Sequence, residues 1–342
     1  MQDCPLVSVI LYGYNSARFV ERTVLSLLAQ DHPKIEFYLS DDGSSDGSFQ
    51  IIERACAAST RPVMLHRNAS NRGICNQINA GVARTTGPLV MLANADDVYP
   101  ACYVSRLVDA WSARLPRPTV VWAQLLEIDE LDRPTGRVHE QRTSGSTLSA
   151  RIAGRATGAG ATGALYDRRV FSEFGPLPDN LSLEDSCLNA RAYVLGEGLH
   201  LPEPLVRYRV HQDNISQVYS GGEYPEWRKR RQSRVAWHAL QGHRAFVEML
   251  RDLHQRPAAS VDAPEVKRAR WIAIERLVET AILDAYWTRD AQMSVFGQWA
   301  MIGRIARLCL KLTMKRHIPW LDEWRARQEH ARCLRRDGAS EC

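Results

Sequence analysis

The 342-residue sequence has no long uncharged apolar run and no regular cysteine pattern. No stretch reaches the roughly 20 apolar residues needed to cross a bilayer, and the nearest candidate, residues 293–314, is interrupted by Arg and Lys. The first residues show no basic region followed by an apolar run, so we expect no secretory signal. The eight cysteines lack the paired spacing of zinc or redox sites, which favours reduced thiols in a cytoplasmic protein.

The net charge of +5 is unevenly distributed along the chain. Residues 1–224 carry 21 Lys and Arg against 25 Asp and Glu, whereas residues 225–342 carry 23 against 14. The C-terminal third is therefore a distinct basic unit, whose charge suits phosphate, anionic lipid or nucleic acid.

Short apolar runs alternate with helical patterns over the first hundred residues. Strands are predicted at residues 6–11, 35–39, 63–65 and 89–92. Helices are predicted between them, the first capped by Asn15 or Ser16 and the next two at residues 49–58 and 74–83. This alternation predicts a parallel sheet with helices on both faces, and such sheets bind ligands at the carboxyl ends of their strands.

The pattern changes in the rest of the chain. A strand is predicted at residues 119–128, and a glycine-rich loop at residues 157–163 precedes a short strand at 164–166. After about residue 225 the pattern is mostly helical, at residues 226–253, 264–287 and 298–315. The chain is therefore divided into three parts, residues 1–118, 119–222 and 223–342.

Acidic residues follow the predicted strands, and a histidine comes further along the chain: Asp41-Asp42, Asp96-Asp97, Glu184-Asp185 and His211. Because the ends of parallel strands meet at one edge of a sheet, we expect these groups to share a cleft. Carboxylates with a histidine suit a hard divalent ion such as Mg²⁺ or Mn²⁺, which keeps positions for substrate phosphates. The pattern therefore predicts nucleotide-diphosphate chemistry, in which a metal neutralises the departing diphosphate.

A set of short motifs also occurs in a fixed order along the chain. The motifs are Val7-Ser-Val-Ile10 with Tyr14-Asn15, Ser26-Leu-Leu28 with Gln30, Asp41-Asp-Gly-Ser-Ser-Asp-Gly47, Asn71-Arg-Gly73, Asn79-Ala-Gly81, Asn94-Ala-Asp-Asp97, Leu183-Glu-Asp185 and Tyr208-Arg-Val-His211. This ordered set closely resembles the family 2 glycosyltransferases, inverting enzymes with the GT-A fold, over roughly residues 5–217. The resemblance implies an α/β fold, a mixed Rossmann-like sheet flanked by helices, with a helical C-terminal extension.

The resemblance assigns a role to each matching position. It implies that the donor contacts Tyr12, Asp41, Asn71, Asn94 and either Arg207 or Arg209, and that Mn²⁺ or Mg²⁺ is held by Asp96 and His211. Asp185 would be the general base, with Glu184 beside it in the catalytic motif. The three parts of the chain then become a donor-binding subdomain, an acceptor and catalytic subdomain, and a basic helical extension.

Two positions depart from the family pattern. Asn94 stands where the family often has Asp, so we expect a modest metal affinity because a neutral amide contributes less to holding a cation. Gly13 stands where Pro or Thr is common, and we expect it to loosen the nucleotide loop.

The resemblance also implies partners and a location. The donor is expected to be a nucleotide-sugar, in the simplest case a UDP-sugar, and the acceptor a glycan or lipid-linked glycan of bacterial surface polysaccharide or lipopolysaccharide assembly. No nucleic-acid partner is expected. Apolar and basic residues alternate within residues 301–316, which suits either an amphipathic helix on the anionic inner face of the plasma membrane or a helix packed on its own domain. The expected location is cytoplasmic, with peripheral membrane contact in the first case.

Two other functions stay open at this point. A nucleotidyltransferase uses a similar fold and metal, although this chain has Tyr12-Gly-Tyr-Asn-Ser16 in place of a glycine-rich, Lys- or Arg-containing signature. A catalytically inactive nucleotide- or glycan-binding module is the alternative outside the enzymes, and the intact Asp96, Asp185 and His211 argue against it.

Overall fold

A computed structural model describes residues 4–139, 162–179, 181, 184–211 and 214 of the chain. Most of the predicted glycine-rich loop lies outside the described residues, as do the helices predicted after residue 225 and their membrane contact. The three-part division of the chain stays a prediction. Within the described part, no helix is both long and apolar enough to cross a membrane.

The described residues form eight strands, β1 to β8, and six helices, α1 to α6. In chain order they are β1 Val7–Gly13, α1 Val20–Leu28, β2 Ile35–Asp41, α2 Ser48–Cys56, β3 Val63–Arg67, α3 Ile74–Arg84, β4 Leu89–Asn94, α4 Tyr103–Ser112, β5 Val120–Ile128, β6 Pro134–His139, β7 Leu165–Asp167, α5 Arg169–Ser172, α6 Glu184–Leu195 and β8 Gly198–Arg209. The strand–helix repeats up to β4 are those that the apolar runs predict.

The first four strands are parallel and place a crevice at their carboxyl ends. β1 pairs with β2 on one side and β4 on the other, and β2 pairs with β3, which gives the order β3-β2-β1-β4. The strand order therefore reverses between β1 and β4, and ligands of open α/β sheets bind at such a reversal. Gly13, Asp41 and Asn94, the last residues of β1, β2 and β4, border this crevice.

The later strands make the sheet mixed, as the fold assignment predicts. β7 is antiparallel to both β4 and β5, β6 is antiparallel to β5, and β8 is parallel to β5. A further antiparallel bridge joins Arg207 of β8 to Val98, in the loop that follows β4. The end of β8 thereby returns to the crevice, which is why His211 can reach residues that lie more than a hundred positions earlier.

Apolar residues cover both faces of the sheet. Along β1, Val7, Val9 and Leu11 belong to the core packed against α1, α2 and α4, whereas Ile10 and Tyr12 belong to the core packed against α3 and α6. This alternation follows from the two-residue period of a strand. Each fully buried branched or aromatic side chain contributes roughly 1.5–3 kcal/mol, so both faces fix the strand ends that carry the polar residues.

The start of α1 differs from the prediction. The helix begins at Val20 with Phe19 as its N-cap residue, and no side chain caps it. Asn15 has a left-handed φ of 50°, and its Oδ1 accepts the backbone N–H of Ser45 at 3.1 Å. The predicted cap by Asn15 or Ser16 is wrong because Asn15 is used to tie the loop after β1 to the loop after β2.

Gly13 packs tightly and does not loosen the loop. It is a regular residue of β1 and the register partner of Asp41. A Cβ atom at this position would lie 2.6 Å from Cβ of Ala95. The glycine therefore lets the end of β1 approach the loop after β4 closely, contrary to the expectation from sequence.

Candidate functional site

Asp41 ends β2 and carries an unsatisfied oxygen. Its side chain is buried, and Oδ2 accepts the backbone N–H of Ser44 at 2.9 Å. Nε of Arg67 lies 3.7 Å from the same oxygen. Oδ1 is also buried and accepts no hydrogen bond from any residue that the structure describes. A buried acceptor left without a donor costs about 1–3 kcal/mol, so this oxygen is suited to an N–H donor supplied by a ligand.

Asp42 fixes the loop that carries Asn71. Its Oδ1 accepts the Asn68 amide at 2.7 Å and the Arg72 backbone N–H at 2.9 Å, and its Oδ2 accepts the Gly73 N–H at 2.7 Å. Asn71 is exposed, and its Oδ1 also accepts the Gly73 N–H, at 3.1 Å. The loop is thereby held beside the end of β2, with the Asn71 side chain on its exposed side.

Tyr12 and Asn94 are register partners on the neighbouring strands β1 and β4. Asn94 is half-buried, and its backbone N–H donates to the Tyr99 hydroxyl at 3.2 Å. The Tyr12 side chain is buried in the core that α6 covers. Backbone atoms of Tyr12 and Gly13, and not the Tyr12 ring, therefore line the crevice at this point.

Asp96 and His211 meet at the crevice, from the segments that follow β4 and β8. Nε2 of His211 lies 3.1 Å from Oδ2 of Asp96, whose side chain is 23% exposed. The Asn214 amide donates to the same oxygen at 3.3 Å, and the Phe19 ring packs on the imidazole with 4.7 Å between ring centroids. The two side chains predicted to hold the metal are thus brought together in space.

Two protein ligands fit a metal that is shared with a substrate. Across the described residues, no group of three or more His, Cys, Asp or Glu side chains could hold a metal ion. Mg²⁺ usually keeps several waters and binds through one or two carboxylates together with substrate phosphates. A carboxylate and an imidazole are also donors that Mn²⁺ accepts. The carboxylate therefore fits either ion in the presence of a diphosphate, and the imidazole favours Mn²⁺ over Mg²⁺, which takes oxygen ligands.

Asp97 supports this pair from a buried position. Its Oδ1 accepts the backbone N–H of Arg209 at 2.8 Å, and its Oδ2 accepts the Thr162 hydroxyl. Burial, together with the neighbouring Asp96 carboxylate, raises the pKa of Asp97 well above its usual range. Both Asp97 oxygens thus have donors within the protein, and Asp96 is the more exposed carboxylate at this part of the crevice.

The two arginines predicted to face the diphosphate lie in different surroundings. Arg207 is exposed, and its backbone pairs with Val98 beside the crevice. Arg209 is fully buried, and its guanidinium donates to the carbonyl oxygens of Asp96 at 2.8 Å and Asp129 at 3.0 Å. Arg207 is therefore the better placed of the two to reach a diphosphate.

Glu184 and Asp185 form the first turn of α6. Glu184 is buried, and one of its oxygens accepts the Tyr12 hydroxyl at 3.0 Å. Asp185 is half-buried, and its Oδ1 accepts the backbone N–H of Ser186 at 2.7 Å. Asp185 is thus the more accessible carboxylate, as a general base must be, while Glu184 ties the helix to the end of β1.

We expect the Glu184→Gln variant to change the pH dependence of stability. Burial, together with the Asp185 charge, raises the pKa of Glu184 to about 8, from an ordinary value of 4.5. The folded protein keeps a proton that the unfolded chain has lost, so stability falls as pH rises from about 5 to about 8 and then levels off. The slope is at most about 1.4 kcal/mol per pH unit, and the variant should flatten it in urea unfolding curves.

Glu53→Gln is the matched control for this measurement, because Glu53 is an exposed residue of α2. The control should keep the wild-type slope. If Glu184→Gln also kept it, Glu184 would not hold a proton in the folded protein.

Tyr14 lies beside the crevice, and the sequence interpretation gives it no role. Its ring is 47% exposed, and it directly follows Gly13, the register partner of Asp41. Aromatic rings in such positions stack on nucleobases. The sequence feature that points to this residue is its place in the Tyr14-Asn15 motif.

Comparison with known proteins finds a family model and a set of relatives. The family described as "Glycosyl transferase family 2" matches residues 8–175, a range that runs from the second residue of β1 to beyond β7. An uncharacterized glycosyltransferase of Nostoc sp. is 29% identical over an alignment of 220 residues, and the match covers 61% of this chain and 66% of the Nostoc protein. The match therefore spans about two thirds of that relative's length.

Solved structures with the same fold include two glycosyltransferase complexes. A mannosyltransferase from Pyrobaculum calidifontis, in complex with GDP-Man and Mn²⁺, has a TM-score of 0.53 at 19% identity, over 90% of this chain and 81% of its own. TarS residues 1–349 from S. aureus, in complex with UDP-GlcNAc, has a TM-score of 0.52 at 16% identity, over 81% of each chain. At these identities the likeness shows that the fold is shared.

Proposed function

The chain belongs to the family 2 glycosyltransferases, and on that premise we propose that it transfers a sugar from a nucleotide-diphospho-sugar to a hydroxyl group. The proposed donor is a UDP-sugar, and the proposed acceptor is a glycan or a lipid-linked glycan. Donor binding takes place in the crevice at the ends of β1, β2 and β4.

The observation that carries the proposal is the buried Oδ1 of Asp41, which has no donor among the residues that the structure describes. It lies at the end of β2, next to the point where the strand order reverses. The N3–H of uracil is a donor that would satisfy it, and the exposed Tyr14 ring is placed to stack on the same base. A nucleotide therefore removes an energetic cost that the protein carries without one.

The remaining contacts extend along the donor from its base to its diphosphate. Asn71 is proposed to contact the nucleotide from the loop that Asp42 fixes, and Asn94 to hydrogen-bond the ribose or a metal-bound water. Asp96 and His211 would hold Mn²⁺ or Mg²⁺, with Arg207 as a second positive charge near the diphosphate. The bound ion supplies neutralisation of the charge that develops on the leaving diphosphate.

The chemical step needs one base and two positioned substrates. Asp185 takes the proton of the acceptor hydroxyl. At the same time the oxygen of that hydroxyl attacks the anomeric carbon from the face opposite the diphosphate. The bond from that carbon to the diphosphate breaks as the new bond forms, which inverts the configuration. Positioning both substrates supplies much of the remaining acceleration.

Ligand-induced stabilisation tests this proposal directly. UDP-sugars, GDP-sugars, CDP-sugars and dTDP-sugars are screened for an increase in Tm, each with and without MnCl₂, and the stabilising donor is then assayed for nucleoside diphosphate release with a panel of glycan acceptors. We expect stabilisation by a UDP-sugar that depends on Mn²⁺, followed by release of UDP. No stabilisation by any donor contradicts the proposal, and binding without turnover on any acceptor favours the inactive module.

Asp41→Asn should weaken UDP binding by about ten- to a hundredfold. The amide oxygen would be retained by the Ser44 N–H that Oδ2 now accepts, so the amide NH₂ would face the N3–H of the base. Isothermal titration with UDP and MnCl₂ measures the change. Glu53→Gln, which neutralises an exposed carboxylate, should bind as the wild type does. Equal affinity in Asp41→Asn and the wild type would remove Asp41 from the base contact.

A further inference from the structure

The buried side chain of Arg209 joins separate parts of the chain. Its Nε donates to the Asp96 carbonyl at 2.8 Å, its Nη1 to the Asp129 carbonyl at 3.0 Å, and its Nη2 to the Asp132 carboxylate. Its backbone N–H donates to Oδ1 of Asp97 at 2.8 Å. One residue of β8 thus connects the loop that carries Asp96 to the turn between β5 and β6.

The same arginine also supports His211, which follows it by two residues. Cζ of Arg209 lies 4.8 Å from the centroid of the Phe19 ring, within the range of a cation–π contact. The same ring also contacts the Arg18 guanidinium, at 5.0 Å, and the His211 imidazole, at 4.7 Å between centroids. Arg209 therefore holds the main chain of Asp96 directly and the imidazole through Phe19.

Asp132, which is partly exposed, forms an ion pair with the buried guanidinium of Arg209. It has a φ of 66°, a conformation that Asp and Asn tolerate better than most residues. The turn around it is closed, because the Asp132 N–H donates to the Asp129 carbonyl at 3.1 Å and Oδ1 of Asp129 accepts the Arg133 N–H at 2.9 Å. The Asp132 carboxylate contacts Arg209 with one oxygen and Arg22 of α1 with the other.

We propose that Arg209 is a positioning residue that sets the spacing of Asp96 and His211, and that Asp132 holds it in place. The turn at residues 129–133 then controls metal affinity without touching the metal. The inference rests on the proposed function, because it takes Asp96 and His211 as the metal ligands. The complete burial of Arg209 disfavours diphosphate binding by its side chain, and the inference gives this residue a different role.

The physical reason is pre-organisation of the two ligands. A carboxylate and an imidazole already at the right separation lose less freedom when the ion binds. Groups that orient metal ligands typically change metal affinity by about 10- to 100-fold when they are replaced. Loss of the Asp132 charge should therefore appear as a weaker metal site, with nucleotide binding in the absence of metal unchanged.

The test compares a variant that removes both ion pairs of Asp132 with one that removes only its pair with Arg22. Asp132→Asn keeps the shape and the tolerance of a left-handed φ but removes the charge that faces Arg209. Arg22→Gln removes the other pair and leaves the contact with Arg209 intact, and Arg22 is an exposed residue. MnCl₂ is titrated at a fixed concentration of UDP, and the Mn²⁺ concentration that gives half of the increase in Tm is measured.

We expect Asp132→Asn to need about tenfold more Mn²⁺ than the wild type, and Arg22→Gln to stay within about twofold of it. Arg209→Lys keeps the positive charge but loses the planar guanidinium group, and this variant should also need more Mn²⁺ than the wild type. The Tm of each variant without ligand shows that it is folded. An equal Mn²⁺ requirement in Asp132→Asn and Arg22→Gln overturns the positioning role and leaves the proposed function standing. If the wild type shows no Mn²⁺-dependent shift with UDP, GDP, CDP or dTDP, both are overturned.

Discussion

Asp185→Asn should lower the rate of sugar transfer by about 10²- to 10⁴-fold, because the variant has no base to accept the proton of the acceptor hydroxyl. The amide has nearly the shape of the carboxylate and can still accept the Ser186 N–H, so the start of α6 should be unchanged. Donor binding should also be unchanged, since Asp185 is not among the proposed donor contacts. The measurements are kcat from release of UDP and the Tm increase with the UDP-sugar.

The matched control for this variant is Asp109→Asn, which neutralises an exposed carboxylate of another helix, α4. It should transfer sugar at the wild-type rate. A kcat for Asp185→Asn within about threefold of the wild type would show that another group is the base, because loss of a general base costs far more than that. Loss of donor binding in Asp185→Asn would indicate that the residue contacts the donor.

Asp96→Asn should weaken Mn²⁺-dependent UDP binding by at least about 100-fold, and Asn94→Asp should strengthen it by about tenfold, because the affinity of a hard cation follows the number of charged ligands. Asp97 is not placed to replace the lost ligand, since it is fully buried and both its oxygens already accept hydrogen bonds. Both effects are read from Mn²⁺ titrations of the Tm with UDP present.

The two variants are expected to move the Mn²⁺ requirement in opposite directions, which a general loss of stability cannot do. Unliganded Tm values show whether either variant is misfolded. If Asp96→Asn bound UDP and Mn²⁺ as the wild type does, the metal ligands would lie elsewhere. If Asn94→Asp brought no gain, Asn94 would lie outside the coordination sphere, and the neutral amide would not explain a modest metal affinity.

The first half of the sheet could be predicted from sequence because its strands are buried apolar runs separated by amphipathic helices. The fold class and the family are confirmed.

Later elements give weaker signals. β6 begins at Pro134 and is mostly exposed, and β8 contains Pro202 and Pro204, so neither resembles a regular strand. α6 buries most of its residues, including Asn189 and Arg191, and so shows no amphipathic period. α4 was missed although Tyr103, Val104, Leu107 and Val108 have helical spacing.

The candidate site could be predicted as a set of positions, but not as a set of contacts. Motif order identified Asp41, Asp96 and His211, and the structure brings the last two within 3.1 Å of each other. No pattern indicates that Oδ1 of Asp41 has no donor within the described part of the chain, or that Arg209 is buried. Burial and pairing depend on residues far away in the chain, so identical side chains such as Arg207 and Arg209 cannot be told apart by sequence.

The hydrogen bond from Tyr12 to Glu184 has a consequence for how the enzyme could be re-engineered. It joins residues that are 172 positions apart, and so fastens the helix bearing Asp185 to the central strand of the donor crevice. The distance from the proposed base Asp185 to the donor crevice is then set by this contact and its surrounding core. The length of the chain between β6 and α6 does not set it. Variants meant to change the acceptor should therefore keep both residues, so that the donor crevice and the proposed base stay in register.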